Sequence, residues 1–74
     1  MTERGRKYLS DITIAIESIE LFLEGIDSFE AFVKDLKTQS AVERQLGIIG
    51  EAVSRFRKEC PDEELNNAKQ MVAF

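Results

Sequence analysis

The chain has 74 residues, of which 10 are lysine or arginine and 14 are aspartate or glutamate, giving a net charge of −4; it contains no histidine. This length provides a single domain, residues 1–74, and the acidic balance argues against direct binding of nucleic acid, which usually needs a basic face. The missing histidine removes the commonest general base and zinc ligand, so we predict no catalytic residue, no metal site and no cofactor.

The first predicted helix runs from about Lys7 to Glu24, and Gly25 suits the turn that follows it. At about 100° per residue, apolar side chains repeat along one face while glutamates occupy the other. The apolar face comprises Tyr8, Ile12, Ala15, Ile16, Ile19, Phe22, Leu23 and Ile26. Ile14 and Leu21 fall on the polar side instead, and this second apolar stripe is a candidate interface.

A short second helix is predicted over about Phe29–Lys34. The segment Asp27-Ser28-Phe29-Glu30 matches a capping box, which marks the start of a helix. Apolar side chains in and after this helix suit a connector that covers the core, and they are Phe29, Phe32, Val33 and Leu36.

The third predicted helix runs from about Ser40 to Glu59, with Thr38 or Ser40 as its cap. One face carries Ala41, Val42, Ile48, Ile49, Ala52, Val53, Phe56 and Cys60. Gln45 lies in the middle of this face, where its amide must find hydrogen-bond partners. Two explanations stay open for Gln45: a core glutamine bonded to a neighbouring helix, and a polar contact at a subunit interface.

Two glycines, Gly47 and Gly50, fall on the polar side of the third helix, although each costs about 1 kcal/mol relative to alanine there. Their Gly-x-x-Gly spacing occurs in RNA-binding KH loops, but the isoleucines between them belong to the apolar face, so the string is expected inside a helix. Close approach of a second backbone and simple tolerance explain the glycines equally well. Both are candidate interface residues.

The last predicted segment, Leu65–Phe74, follows Pro61, which ends the third helix and can open the next. The sequence finishes on apolar residues without a polar tail, so we expect a helix or loop that is cut short at this point. Three of its side chains are further interface candidates: Met71, Val72 and Phe74.

Together the segments predict an all-α antiparallel bundle of about four helices. Six side chains should be almost fully buried between the first and third helices: Ile12, Ile16, Ile19, Ile48, Ile49 and Phe56. A core of this size leaves little margin of stability without a partner, so a homodimer or higher oligomer is expected, with Ile14 and Leu21 at or beside one interface.

A lone cysteine, Cys60, cannot form an intramolecular disulfide, and no apolar run of signal length follows the basic N-terminal segment. Uninterrupted apolar stretches such as residues 14–16 are far too short to span a bilayer. We therefore expect a cytoplasmic protein without a membrane segment. Cys60 should be a small buried or boundary residue, since no base lies near it in sequence.

Two stretches resemble a known family. Residues Asp35–Ala52, which read DLKTQSAVERQLGIIGEA, are preceded at a suitable distance by Tyr8–Ile12, which read YLSDI. They resemble the HepT-like family, the toxin component of HepT/MntA-type toxin–antitoxin modules within the HEPN superfamily. The end, Lys69–Phe74, is similar to the segment that leads into the family's catalytic motif, so the resemblance spans the chain but only about the first two-thirds of a typical member.

The resemblance implies a helical bundle that dimerises and cuts RNA with an arginine, a following polar residue and a histidine a few residues later. None of that motif can be assigned to a residue here, and Tyr8 lies at the wrong end to be the tyrosine that the nucleotidyltransferase antitoxin modifies. The resemblance extends only to positions of the family's scaffold. In this sequence they are the Tyr8–Ile26 face, Gln45 and the Ile48–Ala52 segment.

We therefore expect a truncated HepT-like protein that lacks the ribonuclease motif and binds itself, a full-length relative or the antitoxin. Two alternatives stay open. One is a HepT-like toxin ribonuclease that is active only with residues from another chain, and the other is an unrelated helical interaction protein.

Overall fold

The computed structural model describes residues 1–63, and this part of the chain is all-α, as predicted, with no β-strand. It contains helices α1 (Glu3–Phe22), α2 (Phe29–Lys34) and α3 (Leu36–Glu59). The long helices α1 and α3 pack against each other as an antiparallel hairpin, and α2 packs on α3 near the connection between them. The fourth predicted helix, Leu65–Phe74, lies outside the described residues.

Helix α1 begins before the first large apolar residue of its pattern, because Thr2 caps it. The Oγ1 atom of Thr2 accepts a hydrogen bond from the backbone N–H of Gly5 at 2.9 Å. The helix ends at Phe22 rather than Glu24, and Gly25 forms part of the following turn with a φ of 81°, a left-handed conformation that glycine adopts without strain.

Helix α2 has the predicted bounds, but its cap differs from the predicted capping box. Ser28 is the cap, and its Oγ accepts a hydrogen bond from the N–H of Ala31 at 3.1 Å. Because Ala31 occupies the position that a glutamate would need, the reciprocal bond of a capping box does not form. Glu30 instead lies in the first turn, where its charge favours the positive end of the helix dipole.

The prediction that α2 covers the core is wrong for most of its apolar side chains. Phe29 is 79% exposed, Val33 49% and Leu36 72%, whereas Phe32 alone is half-buried. Polar contacts to the main chain hold α2 in place instead. The side-chain amide of Gln39 donates hydrogen bonds to the carbonyl oxygens of Phe32 and Val33, at 2.9 and 2.6 Å.

Helix α3 is capped by Asp35 and not, as predicted, by Thr38 or Ser40. The Asp35 carboxylate accepts one bond from the Thr38 hydroxyl at 2.7 Å and another from the Thr38 backbone N–H at 3.0 Å. These bonds, the hydroxyl bond first, lower the pKa of Asp35 from its ordinary value of 3.8, because they stabilise the ionised carboxylate. The helix ends at Glu59, as predicted.

The core lies between α1 and α3. Its buried apolar side chains are Leu9, Ile12, Ala15, Ala52, Phe56 and Cys60. The predicted burial of Ile12 and Phe56 is therefore confirmed, and Phe56 is completely enclosed. The prediction is wrong for four half-buried side chains, which are Ile16, Ile19, Ile48 and Ile49. Two helices enclose only the centre of a wide apolar face, so side chains at its edges stay partly open unless a further helix covers them.

At the open end of the hairpin, the start of α1 meets the residues that follow α3. Cys60 is buried, as predicted, and its Sγ lies 3.8 Å from the Thr2 hydroxyl and against Gly5. The Met1 ammonium group forms an ion pair with Glu63 at 3.2 Å. Within residues 1–63, no helix is both long enough and apolar enough to cross a membrane.

Candidate protein-interaction surface

The outer face of α1 carries the predicted second apolar stripe. Ile14 is 58% exposed and Leu21 is 63% exposed, and they lie two turns apart on one side of the helix. Ile14 stands between Ile12 and Ala15, which are both buried, so it is directed away from the core. The hydroxyl of Ser18, between the two stripe residues, donates to the Ile14 carbonyl at 2.9 Å and is thereby satisfied within α1.

Gly47 and Gly50 lie inside α3 and are exposed, so the Gly-x-x-Gly string is not a loop. A Cβ atom added to either glycine would meet nothing within 4 Å among the described residues. A partner backbone could therefore approach this side of α3 closely. The open space is equally compatible with simple tolerance, so both explanations stand.

The two candidate faces are not brought together. Residues that pack on the opposite helix include Ile12 on α1 and Ala52 on α3. Ile14 lies two residues from Ile12, and Gly50 lies two residues from Ala52. Two residues correspond to about 200° around a helix, so Ile14 and Gly50 are each directed away from the opposite long helix. The Ile14 stripe and the two glycines consequently lie on opposite outer sides of the hairpin, and one flat partner surface cannot contact both.

Gln45 is half-buried on α3. Among residues 1–63, its amide has no hydrogen-bond partner, so the neighbouring-helix bond considered for it does not occur there. Its partial exposure lets water satisfy the amide. The remaining interface candidates, Met71, Val72 and Phe74, lie outside the described residues.

A shallow groove runs between α1 and α3 on one side of the hairpin. It brings together the two stretches that carry the family resemblance, since its walls come from both. The lining residues are Tyr8, Asp11, Ile48, Glu51, Ala52 and Arg55. The sequence carries no pattern that groups Asp11 with Glu51 and Arg55, apart from the four-residue spacing of Glu51 and Arg55.

The chemistry of the groove is that of polar recognition. Its described lining offers a phenol, two carboxylates and a guanidinium group. Arg55 donates to Glu51 at 2.6 Å, with both side chains about 60% exposed. An exposed pair of this kind contributes only about 0.3–0.5 kcal/mol, so either group can exchange this contact for one with a partner.

A family model and a curated relative both indicate the same protein family. The family model described as ribonuclease HepT-like matches residues 12–74. A protein of Thermococcus cleftensis named probable ribonuclease HepT is 54% identical over 52 residues, which are 70% of this chain and 46% of that protein. The chain therefore spans about half the length of this curated relative. No solved structure matches the chain.

Proposed function

The chain belongs to the HepT-like ribonuclease family, and on this premise we propose that it acts as a protein-binding, oligomerising scaffold in a HepT/MntA-type toxin–antitoxin module. The observation that carries the proposal is the exposed apolar stripe of α1, formed by Ile14 and Leu21. Two large aliphatic side chains two turns apart, directed away from the rest of the fold, are typical of a helix that packs on a partner.

The small core supports the same proposal. Six side chains are buried between α1 and α3, while nine large apolar side chains of residues 1–63 are exposed by more than a third. Covering such side chains with a partner contributes favourable free energy that the hairpin alone does not obtain. The partners we propose are a second copy of this chain, a longer HepT-like protein or the nucleotidyltransferase antitoxin. The proposed site of action is the cytoplasm, which suits the unpaired thiol of Cys60.

Cleavage of RNA is not part of this proposal for the 74 residues alone. They contain no histidine, which is the commonest general acid–base group in such reactions. The purified chain should leave RNA intact. Cleavage that rises in proportion to protein concentration after rigorous purification would overturn this part of the proposal.

A second candidate function rests on the relative. Because the Thermococcus cleftensis protein is named a probable ribonuclease and is 54% identical over the matched region, this chain could complete a ribonuclease together with residues of another chain. Mixing the chain with the carboxyl-terminal part of a longer HepT-like protein, chosen to carry the catalytic histidine but to be inactive by itself, separates the two functions, because this chain has no histidine of its own. Restored cleavage supports the second candidate, and binding without cleavage supports the scaffold.

The scaffold is tested by binding to the longer HepT-like relative and to an MntA-type antitoxin, measured by isothermal titration calorimetry. The double change Ile14→Glu and Leu21→Glu places two charges in the stripe and should weaken binding at least tenfold. Arg57→Glu is the matched control, since it changes the net charge equally at an exposed position of α3. Equal affinities of the stripe variant and wild type would overturn the role of the stripe.

A further inference from the structure

A row of carboxylates accompanies the apolar stripe of α1. Glu17 and Glu24 each follow a stripe residue by three positions, so they lie beside the stripe on one flank. Both glutamates are exposed. Glu24 lies just beyond the end of α1, in a turn where its N–H donates to the Leu21 carbonyl at 3.1 Å, and this bond keeps it next to the stripe. We name Glu17 and Glu24 the acidic border.

The acidic border is not neutralised by ion pairs within the described part of the chain, since neither glutamate forms one among residues 1–63. The sequence around it is equally one-sided, because residues 8–33 include six acidic side chains and no lysine or arginine. A carboxylate close to the C-terminal end of a helix, such as Glu24, opposes the helix dipole, and the last turn of α1 holds no base. Stability of the helix therefore does not account for this charge.

The charge of the border limits which molecule can cover the stripe. Nucleic acids and anionic lipid surfaces carry phosphate groups, which two exposed carboxylates repel. A second copy of this chain is disfavoured as well. When two stripes pack antiparallel about a twofold axis, the same flanks meet, and the acidic border of one copy faces that of the other. A parallel pair also brings no base of residues 8–33 to the border. These charges favour a protein surface of the opposite sign.

We propose that the stripe and its acidic border receive a basic amphipathic helix of another protein. The apolar ridge of that helix covers Ile14 and Leu21, and lysine or arginine side chains along one edge of the ridge pair with Glu17 and Glu24. The covered apolar surface supplies most of the affinity, while the ion pairs at the rim set the choice of partner. This inference rests on the proposed function, since it assigns the chemistry of the partner that covers the same stripe.

The contact is small, since the stripe and its border span about two helical turns. Interfaces below the standard size are usually weak, so the complex should dissociate in the micromolar range. Exposed charges are screened by salt, so the affinity should fall as the ionic strength rises.

A model peptide tests the chemistry of the partner, by isothermal titration calorimetry of the full chain at low salt. The peptide is an amphipathic helix of leucine and lysine, about 18 residues long, and its counterpart carries glutamate in place of lysine. Wild type should bind the lysine peptide at least tenfold more tightly than the glutamate peptide. The double change Glu17→Lys and Glu24→Lys should reverse this preference, because the border then carries the opposite charge.

Two further variants separate the acidic border from net charge and from the stripe. Glu43→Lys with Asp62→Lys changes the net charge equally at exposed positions outside α1, and it should keep the preference of wild type. Ile14→Ser with Leu21→Ser removes the stripe without adding charge and should weaken binding of the lysine peptide at least tenfold. If the control variant loses the preference as fully as the border variant does, attraction by net charge alone explains the binding and the inference is overturned.

Failure of the inference and failure of the proposed function give different results. Equal affinities of wild type for the two peptides, with binding lost in the serine variant, would overturn the inference and leave the stripe as a binding surface. Unchanged binding in the serine variant would overturn the role of the stripe and the inference with it. Sedimentation that shows a wild-type dimer, dissociated by the border variant, would place a second copy on the stripe and overturn the inference alone.

Discussion

Gly5 and Cys60 approach so closely that a Cβ atom at position 5 would lie 2.5 Å from the Cys60 Sγ atom. The contact joins the first turn of α1 to the residue that follows α3, and both residues are buried. A sulfur atom on a short buried side chain has little room to move, so glycine is required at position 5 for packing and not for its backbone freedom.

Gly5→Ala should therefore destabilise the fold by about 1–3 kcal/mol, the usual cost of overpacking a core. Urea unfolding followed by circular dichroism measures the effect. In a Cys60→Ala background the cost of the same change should fall, because the obstructing sulfur is gone. The control is Gly50→Ala, which meets nothing within 4 Å among the described residues and should gain up to about 1 kcal/mol. Equal effects of the two glycine changes would contradict this prediction.

Phe56 lies at the centre of the core, so replacing it should lower the free energy of unfolding more than replacing an exposed phenylalanine. Phe56→Ala should cost about 3–5 kcal/mol, enough to unfold most of the protein. Phe29→Ala removes the same side chain from the surface of α2 and should stay within about 0.5 kcal/mol in dilute, monomeric protein. Thermal melts of both variants at low concentration make the comparison, and a folded Phe56→Ala protein with an unchanged melting temperature would refute the described core.

Most of the helical framework could be predicted from the sequence, because its local signals are strong. The bounds of α2 and the end of α3 at Glu59 follow from local composition and from Pro61. The start of α1 could not be found from apolar periodicity, since its first turn depends on the Thr2 cap and contains no large apolar residue. Likewise, no sequence pattern indicates that Gly5 contacts Cys60, which lies 55 positions away.

Acidification should weaken the start of α3. The pKa of Asp35 is lowered in the folded state, chiefly by the Thr38 hydroxyl bond, so its contribution to stability is complete above the ordinary pKa of 3.8. That contribution is lost as the pH falls through the lowered value, where the carboxylate gains a proton. The melting temperature of wild type should therefore fall more steeply below pH 3.8 than that of Asp35→Asn.

Asparagine is the informative replacement because its oxygen can still accept the Thr38 backbone bond while carrying no charge. Asp35→Ala removes both bonds and should lower the melting temperature at every pH. If wild type and Asp35→Asn lose stability in parallel below pH 3.8, carboxylates other than Asp35 govern the acid response.

The Gln39 amide should control how firmly α2 is held. Gln39→Ala removes two hydrogen bonds, each contributing about 0.5–1.5 kcal/mol, and frees the carbonyls of Phe32 and Val33. Hydrogen exchange of the α2 amides should become faster while the amides around Ala52 keep their protection. Gln45→Ala is the matched control, since no bond of its amide occurs among residues 1–63. Unchanged exchange in α2 would show that packing, and not Gln39, holds this helix.

The candidate surfaces were less predictable than the helices, for a physical reason. Helical phase correctly identified Ile14 and Leu21 as lying away from the core, because that depends on one helix alone. The exposure of Phe29 and Leu36 depends on how α2 is set against α3, which the Gln39 contacts decide across six or seven residues. Spacing within α2 alone carries no information on that orientation.

The thiol of Cys60 gives the molecule a built-in chemical reporter. It is the one cysteine of the sequence and is enclosed where the two long helices close on each other. An alkylating reagent can reach it only when that end of the hairpin separates. The labelling rate therefore records how often the helices part under native conditions, with no probe to be introduced. A partner that holds the hairpin shut would slow the labelling, even when it binds at the opposite end.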